Sequence, residues 1–193
     1  MAENRQMQKA QTKERIAAAA FKIYSENGFS TPTATIANAA HVSHGSIFVH
    51  FPTVEDLMIS SLENFSKEIE KELHSLSGSV NDITALLEMH IDVLIKHEDF
   101  YKRLITEAVY LPEEARNTFI AIQSTVSIHF LQALEGEMDK GRIKDIPFHM
   151  IFNTWLGLIH YYLLNSDLFT QEGSVLKLHK NNLIECFLEL IRK

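Results

Sequence analysis

The sequence predicts an all-α fold of about nine helices, a three-helix head followed by a larger helical body. Apolar residues recur at helical spacing along most of the chain, breakers are sparse at seven Gly and four Pro in 193 residues, and no stretch reads convincingly as a strand. With 46% hydrophobic and 22% charged residues the chain is ordinary globular material, which excludes a disordered or fibrous protein.

The elements follow in order. In a first helix, about 12–26, Ile16, Ala20, Ile23 and Tyr24 share a face, and Asn27-Gly28 ends it because Gly takes the left-handed conformation at little cost. Thr31-Pro32 reads as the N-cap and first residue of a short helix reaching about Ala40. His41-Val42-Ser43 is a tight turn with His41 at its left-handed position, and Ser43 caps a third helix, about 44–50, which Pro52 stops. Three short helices in the first 52 residues, the last two joined by a three-residue turn, have the dimensions of a helix-turn-helix. Thr53, with Asp56 three residues on, caps a long fourth helix to about Ser75 that carries Phe65, Ile69, Leu73 and Leu76 on one face and is broken by Ser77-Gly78-Ser79. Further helices read at about 80–97, 99–110, 112–139, 147–166 and 172–192, punctuated by Leu111-Pro112, Lys140-Gly141 and Gly173.

Charge follows the same division. Residues 1–53 carry five Lys/Arg against three acids, a net +2, whereas residues 54–193 carry 13 bases and 22 acids, a net −9. A mildly basic head on an acidic body is a sign of a nucleic-acid module joined to a second function. The single cysteine, Cys186, cannot close an intramolecular disulfide and reads as a buried thiol; the polar N-terminus lacks a signal-peptide core, so a cytoplasmic protein is expected. Residues 146–166 hold no formal charge over 21 positions, enough to span a bilayer. Pro147, His149, Asn153, Thr154, His160, Asn165 and Ser166 argue against a span, as do the flanking Asp145 and Asp167. Such a helix is expected instead to be covered on two sides, by its own body and by a partner subunit, beside a last helix carrying Leu176, Leu183, Phe187, Leu190 and Ile191.

The run 42-VSHGSIFVHFP-52 is the most informative stretch. Ile47 and Phe51 fix the third helix to its own core, leaving His44, Gly45, Ser46, Phe48, Val49 and His50 outward. A solvated face usually shows Glu and Lys, yet no acid stands between Glu26 and Glu55. A glycine inside a helix costs about 1 kcal/mol relative to Ala, for which close approach by another molecule is a compensation. Short, neutral or potentially cationic side chains suit a helix entering a DNA major groove.

Residues 12-TKERIAAAAFKIYSENGFSTPTATIANAAHVSHGSIFVHFPTVEDL-57 resemble the DNA-binding head of the TetR family of transcriptional regulators. The matching features are Asn27-Gly28-Phe29, Ile36-Ala37, Val42-Ser43, Gly45-Ser46-Ile47, His50-Phe51 and Glu55-Asp56-Leu57. The resemblance implies a homodimer, paired through the last two helices, that sets two heads on a palindromic double-stranded operator, more often as repressor than activator. It also implies a body, residues 54–193, that binds a small effector and tilts the fourth helix. Carried over by position, the DNA contacts are Thr31, Thr33, Ser43, His44, Gly45, Ser46, Phe48, Val49 and His50. Lys9 and Lys13, with Arg5, join them from an N-terminal arm read as flexible. The sequence departs from the family at His44, Phe48, Val49 and Val54, where Lys, Tyr, Tyr or Arg, and Lys are common, and at His41, where Gly is common; the step from Gly28 to Ile36 is one residue short. Fewer cationic contacts predict a shallower salt dependence, at about 0.9 of slope per phosphate. His44 and His50 are candidates for pH sensitivity between about pH 5 and 8.

In the body, Phe65, Ile69, Met89, His90, Val93, Leu104, Ile105, Phe119, Ile122 and Val126 are candidate lining for an apolar or amphipathic effector, although residues at such spacing equally make plain core. His90 reads as an orienting group or as a hydrogen-bonded core histidine. Trp155, Tyr161 and Tyr162 read as packing and dimer contact. No cofactor, metal site or enzyme chemistry is expected. Cys186 and His179 lie seven residues apart, about 10 Å along a helix, and Ser46 with His50 lacks a third orienting group. His41 and His44 make an incomplete metal site. The alternative is a dimeric helical interaction protein whose head has lost specific DNA binding.

Overall fold

The computed structural model describes residues 2–75 and 82–193. Over these it has ten α-helices, one 3-10 turn and no strand, with a single isolated bridge between Ile143 and Arg192. The helices are α1 (Ala2–Asn27), α2 (Thr33–Ala39), α3 (His44–His50), α4 (Val54–Ser75), α5 (Ile83–Lys96), α6 (Glu98–Glu107), α7 (Glu113–Met138), α8 (Phe148–Leu164), α9 (Ser166–Phe169) and α10 (Val175–Ile191), with the 3-10 turn at Ala108–Tyr110. The chain forms two compact units: Met1–Phe65 with Asp99–Phe119, and Ser66–Glu98 with Ile120–Lys193.

The first unit is organised by aromatic rings. Phe21 stacks on Phe100 at 4.2 Å and Tyr24 on Phe29 at 5.0 Å, while Phe65 tilts onto Phe100 at 5.6 Å. Ile16, Ala20, Ile36, Ile47, Leu57 and Leu62 close the core around them. α1 begins at Ala2 rather than near Thr12, so the arm read as flexible is helical. Its Arg, Gln, Met, Lys, Ala and Glu are good helix formers, and neither Gly nor Pro interrupts them before Gly28. Thr31 does not cap α2: its hydroxyl donates to the Gly28 carbonyl at 2.8 Å, and Pro32 occupies the N-cap position.

The local turns otherwise form where their residues dictate. His41 has φ 53°; its N–H reaches the Asn38 carbonyl at 3.1 Å and the Val42 N–H reaches the Ala37 carbonyl at 3.0 Å, the paired bonds of a Schellman C-terminus with His in the place of Gly. Ser43 accepts from the Ser46 N–H at 3.3 Å. Thr53 and Asp56 cap each other, Asp56 N–H to Thr53 Oγ1 at 3.0 Å and Thr53 N–H to Asp56 Oδ2 at 2.9 Å.

In the second unit α8 lies against α10, with Trp155 and Phe187 5.1 Å apart. Glu98 crosses to the start of α10, where its carboxylate accepts from the Ser174 hydroxyl, from Val175 N–H at 2.9 Å and from Leu176 N–H at 3.3 Å. Two backbone N–H groups that no carbonyl of the helix can reach are thus satisfied by one distant acid, which also holds the hydroxyl of the capping Ser174. The Ser77-Gly78-Ser79 break and the helix start near residue 80 lie outside the described residues; α5 itself is capped by Asp82, which accepts from Thr84 N–H at 2.9 Å. Cys186 is exposed, not buried, because α10 turns Leu183, Ile184, Phe187 and Leu188 inward. No helix among the described residues is long and apolar enough to cross a membrane.

Candidate nucleic-acid interface

Three helices of the first unit, with the turns before α2 and α3, carry the residues predicted to meet DNA. α3 is anchored by Ile47 and Phe51, both buried, and turns Ser43, His44, Gly45, Phe48 and Val49 to the exterior, Val49 with 67% of its surface free. Ser46 and His50 are half-buried at the edge of this face. Thr33, first residue of α2, bonds His44: its Oγ1 lies 2.8 Å from His44 Nε2, and the His44 ring stands edge-on to Phe48 at 5.4 Å between centroids. These contacts fix the imidazole at the front of α3. Thr31 is half-buried, its hydroxyl held by Gly28. A side chain at Gly45 would meet nothing within 4 Å, so the fold itself does not require a glycine there.

The third of these helices is α1. Lys13 Nζ lies 5.3 Å from the centre of the Phe51 ring at the end of α3. Burial holds the His50 imidazole below its ordinary pKa, and Lys9 and Lys13 push the same way. The His50 Nδ1 atom is buried without a hydrogen-bond partner. The structure thus brings Lys9 and Lys13 beside the predicted recognition helix.

One contact in this unit had no signal in the sequence. Glu107, at the end of α6, accepts from the Phe29 N–H at 2.8 Å and pairs with Arg103 at 3.8 Å, while Arg103 donates to the Glu26 carbonyl at 2.9 Å. Gly28, at φ 85°, lies so close to Glu107 that a Cβ there would stand 2.3 Å from Oε1. Two residues of α6 therefore hold the end of α1 and the entry to α2.

The predicted effector lining divides between the units. Phe65, Leu104, Ile105 and Phe119 belong to the first, and Ile69, Met89, His90, Val93, Ile122 and Val126 to the second; all are buried except Ile105, which is half-buried. Trp155 Nε1 donates to His90 Nδ1 at 3.0 Å, which leaves the ring proton of the neutral imidazole on Nε2. Burial, with a smaller contribution from His160, pushes the His90 pKa down to about 4. Two open clefts of the second unit, of about 550 and 510 Å³, include none of these residues; the larger is lined by Asp82, Thr84, Glu137, Lys140, Arg142 and Arg192. Tyr162 stacks on Phe169 at 4.3 Å, whereas Tyr161 is exposed.

Three helices, the second and third short and joined by a tight turn, have the form of a helix-turn-helix DNA-binding head. Residues 16–60 match the model for bacterial regulatory proteins, tetR family, so the head of the chain is similar to the DNA-binding heads of that family. No curated protein matches the sequence. Among solved structures, the TetR-family regulator PfmR of Thermus thermophilus is 18% identical with a TM-score of 0.69, over 91% of this chain and 97% of that one. A protein of Saccharomonospora viridis classed as a transcriptional regulator and solved with choline is 16% identical with a TM-score of 0.78, over 95% and 99%. The regulator FadR of Bacillus subtilis, solved with stearoyl-CoA, is 18% identical with a TM-score of 0.71, over 91% and 97%. At these identities the likeness is one of fold.

Proposed function

We propose that the protein is a ligand-responsive repressor that binds a palindromic operator as a homodimer and acts in the cytoplasm. Residues 1–53 read the DNA, and residues 54–193 bind the effector and pair the subunits. The observation that carries the reading is the outer face of α3. Gly45 is bare with open space above it, Phe48 and Val49 are exposed, His44 is braced by Thr33, and no acid stands between Glu26 and Glu55. Exposed apolar groups there fit base edges and thymine methyls, and Thr31, Thr33, Ser43, Ser46 and His50 surround them with hydrogen-bonding groups.

Pairing is assigned to α8 and α10. Met150, Gly157, Tyr161 and Leu164 are exposed at steps of seven, four and three along α8, and Leu178 and Leu190 are exposed on α10. Such a seam is costly in water and suits a second copy of itself. The effector is assigned to the apolar residues around His90, whose Nε2–H can meet an acceptor on an otherwise apolar molecule. The choline and stearoyl-CoA complexes of two relatives by fold make a small amphipathic molecule a reasonable class.

DNA selection from a random pool with the purified protein, at two salt concentrations, tests the reading. Recovery of a palindrome with one head per half-site is the expected result. Recovery of nothing above the non-specific background refutes operator binding and favours the interaction-protein alternative.

A further inference from the structure

We propose that the first turns of α1 are a second DNA-contact element, a cationic rod laid along the operator phosphates beside the groove that α3 reads; this rests on the DNA-binding reading above. Followed backwards, the face of α1 that packs into the core of the head passes through Tyr24, Ala20 and Ile16, all buried. The same face continues at Lys13, Lys9 and Arg5, four residues apart and exposed. The helix outruns its own core, and there its inner face changes from apolar to cationic. At 1.5 Å per residue the three charges are spaced about 6 Å apart over about 12 Å. The neighbouring acid, Glu14, is set about 100° around the helix from Lys13 and further from the other two. None of the three cations has an ion pair among the described residues, although Lys22 further along α1 pairs with Glu26.

The stripe also points the right way. Lys13 covers the Phe51 ring that ends α3, and both Lys9 and Lys13 are felt by His50. A polyanion seated on α3 therefore meets these charges without any rearrangement of the head. Three positive charges at regular steps, none of them in an ion pair among the described residues, complement a run of phosphates.

The test is the salt dependence of operator affinity for the full chain and for the triple variant Arg5→Gln, Lys9→Gln, Lys13→Gln. Gln removes the charge and keeps the helix propensity, and far-UV circular dichroism reports whether the helix survives. Each lost phosphate contact removes about 0.9 from the slope of log K against log salt, so the slope should fall by about 2.7 per head, with the selected sequence unchanged. Should the triple variant unfold, Lys9→Gln alone should remove about 0.9 per head. An unchanged slope in a variant that still selects the same palindrome overturns the rod and leaves the α3 reading intact. A wild-type chain that selects no sequence overturns both.

Discussion

Replacing Gly45 by alanine should move stability and DNA affinity in opposite directions. The residue is the second of α3, it has no positive φ, and a Cβ built on it meets nothing within 4 Å. Alanine is favoured over glycine in a helix by about 0.8–1 kcal/mol, and near a helix end the gain is at most that. In a chain of this size about 1 kcal/mol raises Tm by roughly 2–4 °C. The operator, however, is expected to use the space that the methyl group fills. A sugar or base edge packed directly on the bare Cα, at about 3.5–4.0 Å between carbons, is pushed away by an added methyl group. The affinity should drop at least about tenfold, or 1.4 kcal/mol. Thermal melts of the free protein and fluorescence anisotropy on the selected operator measure the two effects separately. A variant that is more stable and binds DNA as well as the parent would show that Gly45 does not face the operator.

Other perturbations follow from single contacts. The His90 pKa is about 4 in the folded chain against about 6.5 unfolded, so the neutral form is built into the native state. Its contribution is complete above about pH 6.5 and is lost as pH falls towards 4, about 3 kcal/mol in all; in His90→Gln, which keeps an acceptor for Trp155, urea melts should show that much less acid sensitivity. Gly28→Ala should cost at least about 1–2 kcal/mol in the same assay, because the backbone is left-handed and the methyl group collides with Glu107. Leu164→Glu, on the exposed seam of α8, should convert the proposed dimer to monomer in analytical ultracentrifugation without lowering helix content; a dimer of unchanged strength would remove α8 from the proposed interface.

What the sequence revealed of this fold was what a few neighbouring residues decide. Ser43 caps α3 because its hydroxyl reaches three residues on, Thr53 and Asp56 close a box of the same length, and the His41 turn is complete within Ala37–Val42. Contacts between distant residues left no such trace. Glu107 meets Phe29 across 78 positions and Glu98 meets Val175 across 77, and nothing local marks either acid as a cap. The early start of α1 was hidden for another reason. A helix that is polar on every side has no apolar period to read, so only its propensity announces it, and propensity alone is weak.

The candidate interface shows the same limit, and it joins the uncharged outer face of α3 to the long first helix. The outer face of α3 is legible because it lacks charge, and Lys9 and Lys13 are legible as cations, but their alignment on one face follows only once α1 is known to be helical through Arg5. With His44, Phe48, Val49 and Val54, the outer face of α3 and the start of α4 carry no Lys, Arg or Tyr. On the rod proposal, the positive charge has moved from the elements that read bases to the one that grips phosphates. Register and orientation would then be set by α1, and sequence by the neutral face of α3, a separation of positioning from readout. Charge removal on α1 should weaken every DNA sequence alike, whereas Phe48→Ala should change which sequence is preferred while leaving the salt slope as it was. A slope that changes with Phe48→Ala, or a preference that changes with the α1 triple variant, would break that division of labour.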